Sequence, residues 1–229
     1  MGGYWADPGQ VELTTILGLA LPNTSYSWVS SWPSLGNCST QASPGPDLVD
    51  ITEDYGMDSS FTVLAGTRSY DATPLDEVPE LSAGGVVFVG GIPGNANVST
   101  TFSTDEGTVT GTVARTPSDF EVTSPELDSQ AVPLVPRGPV TIAWSGTLSD
   151  DVIVQFVTIN SDFESTGGEF CRPTGNSITL DSDDYDPNAA FAEIGVRRVR
   201  TYSASLGGSA GATTRMHGLM TKVGLVQFQ

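Results

Sequence analysis

Four carboxylates stand within six positions in Asp181-Ser182-Asp183-Asp184-Tyr185-Asp186. Calcium takes roughly six to eight hard oxygen ligands, and Asp181, Asp183, Asp184 and Asp186 could supply several of them. The frame is not that of an EF-hand, because Asp186 falls where that loop needs Gly and Ala192 where it needs Glu. The same residues also read as a solvated acidic turn leading into a helix at Pro187, with Asp186 as its N-cap. Calcium is thus the one cofactor the sequence points to, and the alternative is none.

Other chemistry finds less support. Gly207-Gly208-Ser209-Ala210-Gly211 fits the spacing of a nucleophile elbow, which needs a strand before it and a helix after it. No helix-forming stretch follows, and no acid follows Glu193. A Gly-rich hairpin connection is the simpler reading. His217 is the only histidine, so no His-based zinc site can form, and two cysteines far apart in sequence do not complete one. The chain has 27 acids, but no spacing singles out a pair for glycoside hydrolysis. The expectation is a protein without a catalytic site.

Tyr4, Trp5, Tyr26, Trp28 and Trp32 gather aromatic surface near the N-terminus. Such rings stack on sugars, form interfaces, or fill cores. Cys38 and Cys171 would pair in an exported chain, worth roughly 3–5 kcal/mol through closure of a long loop. In a reducing compartment they would be two buried thiols. Asn23, Asn37 and Asn97 begin glycosylation sequons, which matter only in a host that glycosylates.

With 9 basic and 27 acidic residues the formal charge is −18, which argues against a nucleic-acid partner. The charge is uneven: Arg197, Arg198, Arg200, Arg215 and Lys222 lie beyond the last acid. Those cations read as pairing with strand neighbours, or as docking on an acidic surface of this chain or of another copy. No apolar run reaches the length of a membrane span. Met1-Gly2-Gly3-Tyr4-Trp5-Ala6-Asp7 has neither the basic nor the apolar part of a signal peptide. Either no leader is used, or Met1 replaces a removed one.

The elements that must position these residues are strands. Short β-type runs alternate with Gly, Pro, Asn and Asp clusters, and 26 Gly with 15 Pro in 229 residues disfavour a helical bundle. Val11–Leu21 and Ser25–Trp32 read as strands, Asn97–Ser103 with Gly107–Arg115 as a hairpin. Val152–Val157 is apolar on both faces and so should be a central strand. Ile142 and Trp144 alternate toward a core. Only Asn188–Ile194 suggests a helical turn. The expected fold is all-β: one or more antiparallel β-sandwiches, immunoglobulin-like or jelly-roll-like, with little or no helix. Residues 1–125 form a β-rich N-terminal domain, 126–139 a Pro-rich linker and 140–229 a C-terminal sandwich, unless the whole is one continuous sandwich. Within the linker, Leu134-Val135-Pro136-Arg137-Gly138 spells a protease site familiar from engineered proteins. It reads here as coincidence, although exposed linkers are where nicking falls.

The succession Thr141-Ile142-Ala143-Trp144-Ser145-Gly146, Asp151-Val152-Ile153-Val154-Gln155-Phe156, Phe170-Cys171-Arg172 and Ser177-Ile178-Thr179-Leu180 resembles a loose family of poorly characterised exported bacterial proteins. These are often lipid-anchored and have a β-sandwich body. Ala83–Phe88 and Asp119–Pro125 fit the same layout, so the resemblance spans residues 80–205. The family's usual Asp-Gly-Ser after the Cys is here Pro173-Thr174-Gly175-Asn176. The resemblance implies a periplasmic or surface location and assigns no activity. A lipid anchor would require a Cys at the place of Met1.

Two functional classes follow. One is a non-catalytic exported or surface structural protein, a virion or filament subunit included, that joins copies of itself through edge strands such as Val11–Leu21 or Val223–Phe228. The other is a carbohydrate- or partner-binding module, calcium-dependent through the acidic loop.

Overall fold

The structure, a computed structural model, describes residues 11–22, 32–40, 57–65, 68–71, 73–74, 84–89, 94–95, 97–104, 107–113, 116–127, 131–146, 150–205 and 212–229. In chain order the strands are β1 (Val11–Pro22), β2 (Cys38–Ser39), β3 (Met57–Ala65), β4 (Arg68–Asp71), β5 (Thr73–Pro74), β6 (Gly84–Val89), β7 (Val98–Thr104) and β8 (Gly107–Val113). They continue with β9 (Val122–Ser124), β10 (Leu134–Val135), β11 (Val140–Trp144), β12 (Asp151–Ile159), β13 (Ser165–Cys171), β14 (Ser177–Leu180), β15 (Phe191–Ser205) and β16 (Ala212–Phe228). The chain is all-β, as expected.

Among the described residues the strands form three sheets. The large one runs β2-β13-β12-β15-β16-β1-β6-β5, with β10 added beside β16 in parallel. A three-stranded sheet runs β14-β11-β9 and a four-stranded one β4-β3-β7-β8. All ladders but β10–β16 are antiparallel. The hairpin β7–β8 lies where the alternation places it, and β12 is interior, between β13 and β15.

Alternation along β12 splits its side chains between two cores. Val152, Val154 and Phe156 meet Ile142 and Trp144 of β11 and Leu180 of β14 in one cluster, as facing layers of a sandwich do. Ile153 points the other way, into Trp32, Phe170 and Val199. Each such side chain contributes on the order of 1.5–3 kcal/mol through burial, which is why β12 needs no polar face.

Two expectations are corrected. Val11–Leu21 does not offer a free edge, because β1 pairs with β16 along its whole length and with β6 on its other side, and Val223–Phe228 is paired with β15 and, at its two ends, with β1 and β10. The helical turn expected over Asn188–Ile194 is absent. The Asn188 N–H bonds Asp186 Oδ1 and the Ala189 N–H bonds the Asp186 carbonyl, making a tight turn, and Phe191 already begins β15. The one helical turn in the described residues is Ser182–Asp184, a 3-10 turn.

Candidate functional site

One face of the large sheet changes character along its length. On β15, Ala192, Ile194 and Val196 are buried in the apolar cluster, and the same alternation then brings Arg198 and Arg200. Lys222 of β16 stands opposite Val196. Arg198 is 0% exposed and Lys222 3%, so these cations require partners. Segment 116–121 supplies several of them, and Ser145 and Asp150 the rest. Arg198 donates through Nη1 to Ser118 Oγ at 2.6 Å and through Nη2 to the Ser145 carbonyl at 2.6 Å, and its guanidinium lies 5.1 Å from the centre of the Phe120 ring. Arg200 pairs with Asp150 at 2.5 Å and donates to the Thr116 carbonyl at 3.0 Å. Asp150 in turn accepts from the N–H and hydroxyl of Ser118. Lys222 reaches Glu121 at 3.5 Å and Asp119 at 4.0 Å. Burial holds the Arg198 guanidinium below the usual arginine range, opposed by the charges of Asp150 and Asp119. Arg200 pairs with Asp150, the residue just before β12, whereas Arg198 and Lys222 reach across to segment 116–121. The network fixes segment 116–121 over the sheet and leaves no cation of this row presented outward.

The two cysteines form a disulfide, Cys38–Cys171, closing a separation of 133 residues. They are direct partners across the β2–β13 ladder. Trp32, expected with the N-terminal aromatics to meet a ligand, is 5% exposed and lies 5.8 Å from Phe170 between ring centres. It is a plug beneath the disulfide arm; the apolar environment of Phe170, Ile153 and Val199 takes the ring inward. Tyr4, Trp5, Tyr26 and Trp28 lie outside the described residues.

Two positions before Cys171 on the same face, Glu169 is 7% exposed. Burial raises its carboxyl above the ordinary range, and the Asp184 carboxylate raises it further. Among the described residues, no hydrogen bond or ion pair reaches this carboxyl. A donor oxygen of Glu169 and the two sulfurs lie within 4.8 Å of one another. Sequence reasoning passed over Glu169; the available signal was its position two residues from a cysteine, which in a strand means a shared face.

The acidic turn is organised differently. Asp181, Asp183 and Asp184 are exposed and Asp186 is half-buried. Asp184 Oδ2 accepts the Asp181 N–H at 2.7 Å and Asp186 Oδ1 accepts the Asn188 N–H at 2.9 Å. The four carboxylates do not converge as a group of three within 4.8 Å. Tyr185, between them, is buried, stacks 5.4 Å from Phe228 and bonds the Gly138 backbone through its hydroxyl.

That bond bears on the protease-like sequence. Val135 is buried in β10, Arg137 Nη1 donates to the Pro187 carbonyl at 2.5 Å, and the Arg137 guanidinium lies 5.6 Å from the centre of the Phe228 ring. The segment is held at Val135, Arg137 and Gly138, while Leu134 and Pro136 are exposed. The Gly207–Gly211 motif lies outside the described residues, but its flanks are β15 and β16, paired from Ser205 and Thr213 onward. A strand, not a helix, follows it.

Among the described residues, one aromatic is presented outward. Phe163, 68% exposed, sits at the β12–β13 turn with φ of 62° and stacks on Phe191 at 5.3 Å. Asn160 holds this turn through bonds to the N–H groups of Asp162 and Glu164. Among the described residues, no helix is long and apolar enough to cross a membrane. Compared with protein families, curated proteins and solved structures, the chain finds no match.

Proposed function

We propose that this chain is a non-catalytic structural or assembly protein of an exported or surface setting, joining copies of itself through the edge of β8. The observation that supports this reading is how the sheet edges are treated. The large sheet ends in β2 and β5, two residues each, one stapled by a disulfide and the other containing Pro74. The three-stranded sheet ends in β14 and β9, of four and three residues. Short, stapled or Pro-containing edges resist pairing with other chains. β8 has seven residues and, among the described residues, a ladder with β7 alone. Its Thr-Val alternation suits addition of a further strand. The disulfide supports an oxidising compartment.

Light scattering on a size-exclusion column, with electron microscopy of the same fractions, tests the reading. Defined oligomers or filaments are expected, and Thr110→Lys with Thr112→Lys should return the chain to a monomer. A native monomer at every concentration would sink it. The exposed Phe163 favours the second reading, a binding module for glycans or a surface partner. In that case glycan binding by the monomer should be lost in Phe163→Ser.

A further inference from the structure

The disulfide arm carries an unusual neighbour. Glu169 is 7% exposed and shares its face with Cys171. Cys38 faces Cys171 directly across the ladder. Two adjacent strands therefore bring a carboxylate and two sulfurs within 4.8 Å of one another. The sulfurs come from residues far apart in sequence, so the arrangement exists only in the folded chain.

We propose that the reduced form of this chain holds a divalent zinc-class metal on Cys38, Cys171 and Glu169. In the oxidised form the sulfurs are bonded to each other and offer no thiolate. Reduction breaks the S–S bond and gives two thiols. With a trialkylphosphine as reductant, the phosphine becomes its oxide with oxygen from water, and each sulfur gains a proton. Zinc then displaces both protons to solvent. Two thiolates and a carboxylate are three of the donors zinc prefers, with a fourth position left for water. The site sets a cation beside the Glu169 carboxylate. It also gives β2 a second means of staying on β13 when the covalent link is absent, because metal binding to the folded form alone stabilises that form.

The full chain, reduced with a trialkylphosphine under anaerobic conditions, is titrated with Co2+ as an optical probe and then with Zn2+ in competition. The expected result is a thiolate-to-cobalt charge-transfer band that saturates at one equivalent, is absent in the oxidised protein and is lost in Cys38→Ser. Glu169→Gln, which keeps the shape and removes the charge, should weaken binding about tenfold or more. Far-UV circular dichroism follows the fold in parallel. No metal binding by the reduced chain, equal affinity in Glu169→Gln, or a reduced chain that unfolds and is not restored by zinc would each overturn the proposal.

Discussion

Gly146 closes over Arg198. A Cβ at position 146 would stand 2.3 Å from Arg198 Nη2, and the glycine has a φ of +101°. A glycine in the left-handed region and a fully buried guanidinium thus occupy one space. Gly146→Ala is expected to cost about 1–3 kcal/mol through backbone strain, with the clash added. In an Arg198→Ala background the clash disappears and the strain remains. Urea denaturation of the two single variants and the double variant should therefore show strong non-additivity; additive losses would mean that the two residues do not share this space.

Asp150 is the hub of the charged row. Its side chain is fully buried and accepts from Arg200 and Ser118. Asp150→Ala leaves Arg200 with its carboxylate partner gone and is expected to cost about 3 kcal/mol. The loss should fall mainly on the unfolding rate if segment 116–121 docks late. A change below about 0.5 kcal/mol, the scale of an ordinary surface substitution, would contradict the role assigned here.

Glu193 provides a pH test. Burial raises its carboxyl above the ordinary range of 4.5, with Arg197 partly opposing the rise. The folded chain therefore holds this proton more tightly than the unfolded chain does. The stability it contributes is present below the unfolded value and is lost as pH rises through the folded one. Glu193→Gln should remove that loss. The urea midpoint of the variant should match the native chain near pH 4 and exceed it increasingly toward neutrality. The reverse trend would show that Arg197 outweighs burial.

The Arg137–Gly138 bond should resist trypsin-class proteases until the segment undocks. Tyr185 holds Gly138, and Arg137 is held by Pro187. Tyr185→Phe should speed cleavage there severalfold by raising the open population. Cys38 and Cys171 flank this bond in sequence and are joined to each other. The nicked product should separate only on a reducing gel. Equal cleavage rates would mean that the tyrosine hydroxyl does not secure the segment.

The legible parts of this fold were those in which alternation and turn residues agree. β12 announces itself as interior because both of its faces are apolar, and β7–β8 as a hairpin because a polar turn separates two alternating runs. Trp144, expected in the core, is 3% exposed. The length of β15 and β16 was not legible. Their distal halves are rich in Ser, Thr and Gly and acquire strand character from pairing with each other and with β1. Long-range pairing likewise hid the partners of Arg198 and Lys222, since no local pattern connects them to Ser118 or Glu121. The disulfide could be read as a pair of cysteines but not as a directly opposed cross-strand pair. Glu169 beside it looked like one acid among many.

The long ladder between β1 and β16 sets an order of events during synthesis. Val11 finds Val223 only after every residue between them has been made. Until then one side of an apolar strand near the start has no neighbour, while the later strands emerge one by one. Such a topology folds slowly and leaves sticky surface uncovered in the interval. Holding that early strand apart from its counterparts on neighbouring nascent chains is a task for chaperones, and expression yield should rise with their supply.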